Sequence, residues 1–179
     1  GITVSNVTIN LLGTSVSGPL LLTHLGFSGP AILKLSSLLA RKLSEISYKA
    51  SFFIDWLPNV SFPMLQEKIQ NIKTHSPSQK MNKNPFPEIS HSLWVTLLNL
   101  SRSKPEMSWN DLSTPKKEML IQTLKKMSFQ LKTNQVTVFP QAVPMPDRKT
   151  LTLKSLCVYA QSARDLRMPL GLKILKRTG

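Results

Sequence analysis

Gly18-Pro19-Leu20-Leu21-Leu22-Thr23-His24-Leu25-Gly26-Phe27-Ser28-Gly29-Pro30-Ala31 carries the change from sheet to helix in this chain. Leu20 to Thr23 reads as a buried strand that ends in a polar pair, Thr23 and His24. Gly26 and Gly29 then set a tight turn around Ser28, and Pro30 opens an apolar helix. Proline suits a first helical turn, where its missing N–H costs nothing. The junction presents a His, a hydroxyl and a free helix N-terminus in one small volume. A helix N-terminus attracts anions through unpaired N–H groups and its dipole. Glycine lets a ligand approach backbone closely, and a His exchanges a proton near neutral pH. The same residues also make a plain strand-to-helix turn with a packed His, and the pattern alone does not separate the two readings.

Upstream, Val4 to Leu11 reads as a strand with Val7, Ile9 and Leu11 on one face and Thr8 and Asn10 on the other. Gly13 to Gly18 reads as a short Ser/Gly connection. Downstream, Ser28 to Leu43 reads as a helix, capped by Ser28 or Gly29, with Ile32, Leu35, Leu39 and Leu43 at helical spacing. Ile46 to Asp55 alternates like a strand and closes at Asp55-Trp56-Leu57-Pro58-Asn59. The pattern then turns helical over Ser61–Ile72, Ile89–Leu100 and from Thr114 to Met127. Thr74 to Glu88 is a polar, proline-bearing loop. Trp94 and the methionines of this region are core residues by their periodicity. Ser128–Lys132 and Gln135–Phe139 read as returning strands, and past Pro140 the pattern loosens. The fold class is α+β: a small antiparallel β-sheet or partial barrel with an inserted bundle of three to four helices. The expected units are residues 1–138, with a helical sub-bundle at about 61–127, and a divergent basic tail at 139–179.

The chain has 179 residues, 41% of them hydrophobic and 18% charged. That supports one domain with an appendage and a real core. No apolar run approaches the ~18 residues of a membrane span. The start, Gly1-Ile2-Thr3-Val4, has no basic or apolar leader, and its lack of Met suggests a piece of a longer chain. One cysteine, Cys157, excludes an internal disulfide framework, and His24, His75 and His91 lack metal-ligand spacing. A reducing, cytoplasmic setting is expected.

The net charge is +14. Residues 1–130 hold 14 basic and 7 acidic residues, and residues 131–179 hold 9 basic and 2 acidic. Half the excess therefore sits in the tail. Such a field attracts nucleic acid or anionic surfaces without specifying either, and no aromatic-basic RNA motif accompanies it. Nor does the chain hold a Gly-x-Gly-x-x-Gly turn, a Walker loop, a Gly-x-Ser-x-Gly elbow or a His-Glu-x-x-His helix. Asp55 reads as a strand end, and no carboxylate pair stands out.

Gly18 to Leu33 closely resembles a signature of the NAD(P)/FAD-dependent oxidoreductases of the BaiN-like or aminoacetone-oxidase type. Members carry a segment close to Gly-x-Leu-Leu-Phe-Thr-His-x-Gly-Leu-Ser-Gly-Pro-Ala-Ile-Leu. Ile54-Asp55-Trp56-Leu57-Pro58 resembles the family's Ile-Asp-Leu-Leu-Pro strand end, and the likeness covers roughly residues 1–138. It implies an insert, substrate-side domain of a flavoprotein without the FAD-binding half. Thr23, His24, Gly26, Ser28, Gly29 and Pro30 would then face the flavin or substrate. FAD is the parent cofactor, NAD(P)H a possible reductant, and the expected partners are a small-molecule substrate and a separately encoded flavin-binding half. The expectation is that this chain alone does not bind FAD and is inactive. The likeness ends near Val136-Thr137, where the family's glycine pair is replaced by Val138-Phe139-Pro140. That departure suggests a decayed or frame-shifted gene near residues 138–160. Two other classes stay open: a non-catalytic structural remnant and a basic nucleic-acid-binding module.

Overall fold

The computed structural model describes residues 1–23 and 26–131. His24, Leu25, the expected strand Gln135–Phe139 and the basic tail lie outside the described residues. Strand β1 (Ile2–Leu11) pairs with β2 (Thr14–Thr23), and β2 pairs with the short β3 (Gly26–Ser28). Helix α1 (Pro30–Glu45) follows, then β4 (Ser51–Asp55). Helices α2 (Phe62–His75), α3 (His91–Leu100) and α4 (Thr114–Lys125) precede β5 (Met127–Gln130). The five strands form one antiparallel sheet in the order β3-β2-β1-β4-β5.

Curvature follows from the aromatic contacts. In a flat sheet the outer strands β3 and β5 would stand about 19 Å apart, four steps of about 4.8 Å. Instead Phe27 of β3 and Phe129 of β5 meet with ring centroids 4.8 Å apart, and Phe52 of β4 stacks on Phe129 at 5.3 Å. The sheet is therefore curled into a half-barrel with these rings in its interior. A bulge between Val4 and Val7 assists the curl. It also explains a switch in the pattern: Val4 is buried together with Val7, Ile9 and Leu11. The extra residue at Ser5-Asn6 shifts the inward parity from even to odd, while β2 keeps Val16 and Leu20 inward without a break.

Several boundaries differ from the sequence reading for identifiable reasons. Gly13 to Gly18 is not a connection. Leu12 and Gly13, at φ 51° and 78°, make the turn, and Thr14 onward is strand. Polar pairs across the hairpin, Thr8 with Ser17 and Asn10 with Ser15, support the longer pairing. Gly26 to Ser28 is a strand rather than a turn, in the register Thr23↔Gly26 and Leu21↔Ser28. Helix α1 starts at Pro30 and runs to Glu45. The strand expected from Ile46 begins only at Ser51, because Ser47 and Tyr48 both take positive φ in the link from α1.

Helix α1 lays Ala31, Ile32, Leu35, Leu39 and Leu43 against β1, β2 and β3. The other helices gather around Trp94 and Trp109, whose rings stack at 6.4 Å, with Phe86 edge-on to Trp94. The Trp94 indole N–H donates to the Met81 carbonyl at 2.7 Å. Ser61 and Ser90 cap α2 and α3 by accepting from Met64 and Leu93. The polar loop after α2 is held by a bridge from Lys80 to Ser108.

Half-barrel and helices join at one clamp. Trp56 N–H donates to the Leu124 carbonyl at 2.9 Å. The Lys125 ammonium reaches Asp55 at 2.6 Å, Leu57 O at 2.9 Å and Val60 O at 2.7 Å. Its three N–H donors are thereby all used. The Asp55 carboxylate in turn accepts from Leu57 N–H at 3.0 Å.

Candidate functional site at the β3–α1 junction

The signature stretch divides cleanly into packing and surface positions. Leu20, Phe27, Ala31 and Ile32 are buried in the core. Ser28 and Pro30 are exposed, and Thr23 and Gly26 are half-buried. The Thr23 hydroxyl donates to the Gly26 carbonyl at 3.0 Å, which ties the end of β2 to the start of β3. The Ser28 side chain makes no hydrogen bond among the described residues and stands on the outermost strand. His24, the sixth residue of the expected site, lies outside the described residues.

Gly29 is the tightest point. It adopts φ 105° and ψ 173° as the N-cap of α1, a region open essentially to glycine alone. A β-carbon placed there would sit 3.0 Å from the Pro19 carbonyl oxygen and 3.2 Å from the Leu21 nitrogen. The Gly29 carbonyl accepts the first helical bond from Leu33 N–H at 3.0 Å. At the next turn, Ala31 approaches Gly18, where an added β-carbon would lie 3.8 Å from the alanine methyl.

These contacts change the reading of the helix end. The sequence suggests a free N-terminus, whereas the first turn of α1 is pressed onto β2 through Gly29 and Gly18. The space that Gly29 leaves is filled by the chain's own strand. It is no cradle for a pyrophosphate, which in dinucleotide sites uses glycine to approach the ligand. Among the described residues the junction therefore does not fit FAD by itself. What it offers is an outward edge of Ser28, Pro30 and the half-buried Thr23, held rigidly from behind.

Other features lie elsewhere. Among the described residues no group of three or more His, Cys, Asp or Glu side chains could hold a metal ion. No described helix is long and apolar enough to cross a membrane. A shallow groove of about 540 Å³ runs along α2, lined by Val60, Met64, Lys68, Ile72 and His75, away from the signature stretch. Trp56 Nε1, Trp109 Nε1 and Ser103 Oγ are buried without a partner, and none belongs to the junction. The one resolved titration shift is at exposed Asp111, held below the ordinary carboxylate value by the Ser108 hydroxyl and then its backbone N–H. This is a capping interaction and has no counterpart at the junction.

Sequence reasoning missed two structural partners of the site region. Gly29 signals its own backbone demand, but nothing in the sequence pairs it with Pro19 and Leu21. Asp55 is legible as a strand end, while its partner Lys125 lies 68 residues beyond Leu57, which shares the same ammonium.

Comparison with known proteins fits this architecture. The family model described as HI0933-like protein barrel and H2TH domain matches residues 1–137. No curated protein matches the chain. The matched span takes in the half-barrel, α1 and all the helices after it, and the chain belongs to the HI0933-like flavoprotein family.

Proposed function

We propose that the chain is the substrate-side part of a flavin-dependent NAD(P)/FAD oxidoreductase, and that the β3–α1 junction is the surface it presents to flavin and substrate. The observation that carries the reading is the family match over 1–137, joined to the way its signature stretch divides. Leu20, Phe27 and Gly29 serve packing, which leaves Ser28, Pro30 and Thr23 as outward members. A stretch kept only for packing has no use for an unbonded hydroxyl on its outermost strand.

In such enzymes FAD supplies the hydride chemistry, while the protein positions the substrate against it. Since the junction offers no cradle for the cofactor, the FAD-binding half is a separate polypeptide in this reading, and the chain alone is inactive. The substrate is a small molecule enclosed between the two halves.

The test is a titration. A flavin-loaded FAD-binding half from a family member is mixed with the purified chain while flavin fluorescence is followed. The expected result is a saturable change that Ser28→Tyr weakens by about tenfold or more, the scale of one interface anchor. No change with folded chain, or a stoichiometric flavin spectrum from the chain alone, would overturn the proposal.

A further inference from the structure

The half-barrel is open along one seam. Its outermost strands, β3 and β5, share no backbone pairing. Every neighbouring pair in the sheet is antiparallel, so β1, β3 and β5 run one way and β2 and β4 the other. Across the seam β3 and β5 therefore face each other in parallel. Five strands cannot close into an all-antiparallel barrel, whereas a sixth strand running against both edges can. A slot for one strand is two inter-strand steps, about 10 Å wide. Two inward phenylalanines meeting midway span such a width, as Phe27 and Phe129 do at 4.8 Å.

Hydrogen bonding fixes which groups of β5 look into the seam. Leu131 donates its N–H to the Ala50 carbonyl at 2.8 Å, toward β4. Amides of the same parity, Phe129 and Met127, point the same way, and those of Ser128 and Gln130 point into the seam. Side chains follow the other rule: Phe129 and Leu131 are buried, and Ser128 and Gln130 are exposed.

We propose that this seam is the docking site for the chain's own segment Gln135–Phe139, added as a sixth strand beside β5. The described chain ends at Leu131 on the lip of the seam, and residues 132–179 follow it. A two-residue turn at Thr133-Asn134 sets Val136 opposite Leu131, Thr137 opposite Gln130 and Val138 opposite Phe129. Both valines then fall on the core face and the threonine on the solvent face. A slip of one residue would invert all three. Asparagine tolerates the positive φ of such a turn, and Gln-Val-Thr-Val-Phe has the β-branched composition of a strand. The strand would run down the seam toward β3 and place the onward chain beside the Ser28 edge.

Amide hydrogen exchange by NMR on the full chain tests this. Ser128 and Gln130 amides are expected to exchange on the order of 100-fold more slowly than in an unstructured peptide. In the double variant Val136→Asp, Val138→Asp they return to within about tenfold of that reference. Leu35 and Leu39 amides in α1 stay protected, which reports that the fold persists. Rapid exchange of Ser128 and Gln130 in the unaltered chain overturns the proposal. So does protection that survives the double substitution, and so does protection lost on dilution, which would assign the seam to a second copy.

Discussion

Replacing Gly29 with alanine tests how the signature stretch holds its shape. The new methyl carries two costs. The backbone at φ 105° and ψ 173° lies in a region that non-glycine residues occupy only at about 1–3 kcal/mol. The β-carbon also meets backbone on two sides, at 3.0 Å from Pro19 O and 3.2 Å from Leu21 N. Neither atom is the tip of a flexible side chain, so relief requires moving β2 away from α1. Overpacking of this kind adds about 1–3 kcal/mol. The sum is about 4 kcal/mol, a large part of the 5–15 kcal/mol or so that holds a typical domain. Gly13→Ala is the matched control: its φ is 78°, and an added β-carbon meets nothing within 4 Å. It carries only the conformational cost, about 1 kcal/mol. Urea unfolding followed by tryptophan fluorescence reads the difference. With a slope of about 1.5 kcal/mol per molar, the Gly29 variant should unfold about 2 M earlier than the Gly13 variant. Equal midpoints for the two variants would refute the argument, because the close approach of Gly29 to Pro19 and Leu21 would then contribute nothing.

Three further outcomes follow from particular contacts. Lys125→Met should destabilise by about 3 kcal/mol in the same assay, because it leaves the Asp55 carboxylate and two carbonyls at a site where the pair is only 13% and 17% exposed; adding Asp55→Asn should recover part of that loss. Leu12→Asn should raise the unfolding midpoint by an amount equivalent to about 1 kcal/mol, since Leu12 is 42% exposed and holds φ 51° in a two-residue hairpin turn that favours Asn-Gly. The Asp111 carboxyl has its folded value below the model 3.8, so the capping contribution is present above that value and is lost as pH falls through the lower folded one; NMR titration of Ser108→Ala should return the Asp111 midpoint toward 3.8.

What could be read in the sequence was local periodicity. Ile32, Leu35, Leu39 and Leu43 gave the buried stripe of α1, and Val7, Ile9 and Leu11 gave the inward face of β1. Pro30 marked the helix start. What escaped depends on distant partners. The bulge at Ser5-Asn6 is invisible until β2 supplies a register that β1 fails to keep. Leu12 hides its turn because leucine is not a turn residue. Gly26-Phe27-Ser28 looked like a turn because glycine has weak strand propensity, and only pairing with Leu21 to Thr23 makes it a strand. For the candidate site, the sequence marked the stretch and its glycines correctly as special. It did not reveal that Gly29 is shaped by the chain's own β2, which moves the outward chemistry to Ser28, Pro30 and Thr23.

The central claim is that the β3–α1 junction faces a flavin-binding half. Hydrogen-exchange mapping of the chain with and without such a half, supplied by a family member, addresses it most directly. The account predicts new protection at the amides of Gly26, Phe27 and Ser28, with no change at Asn82 or Arg102 in the helical part. Protection confined to the helical part, or absent throughout while the chain remains folded, would contradict it.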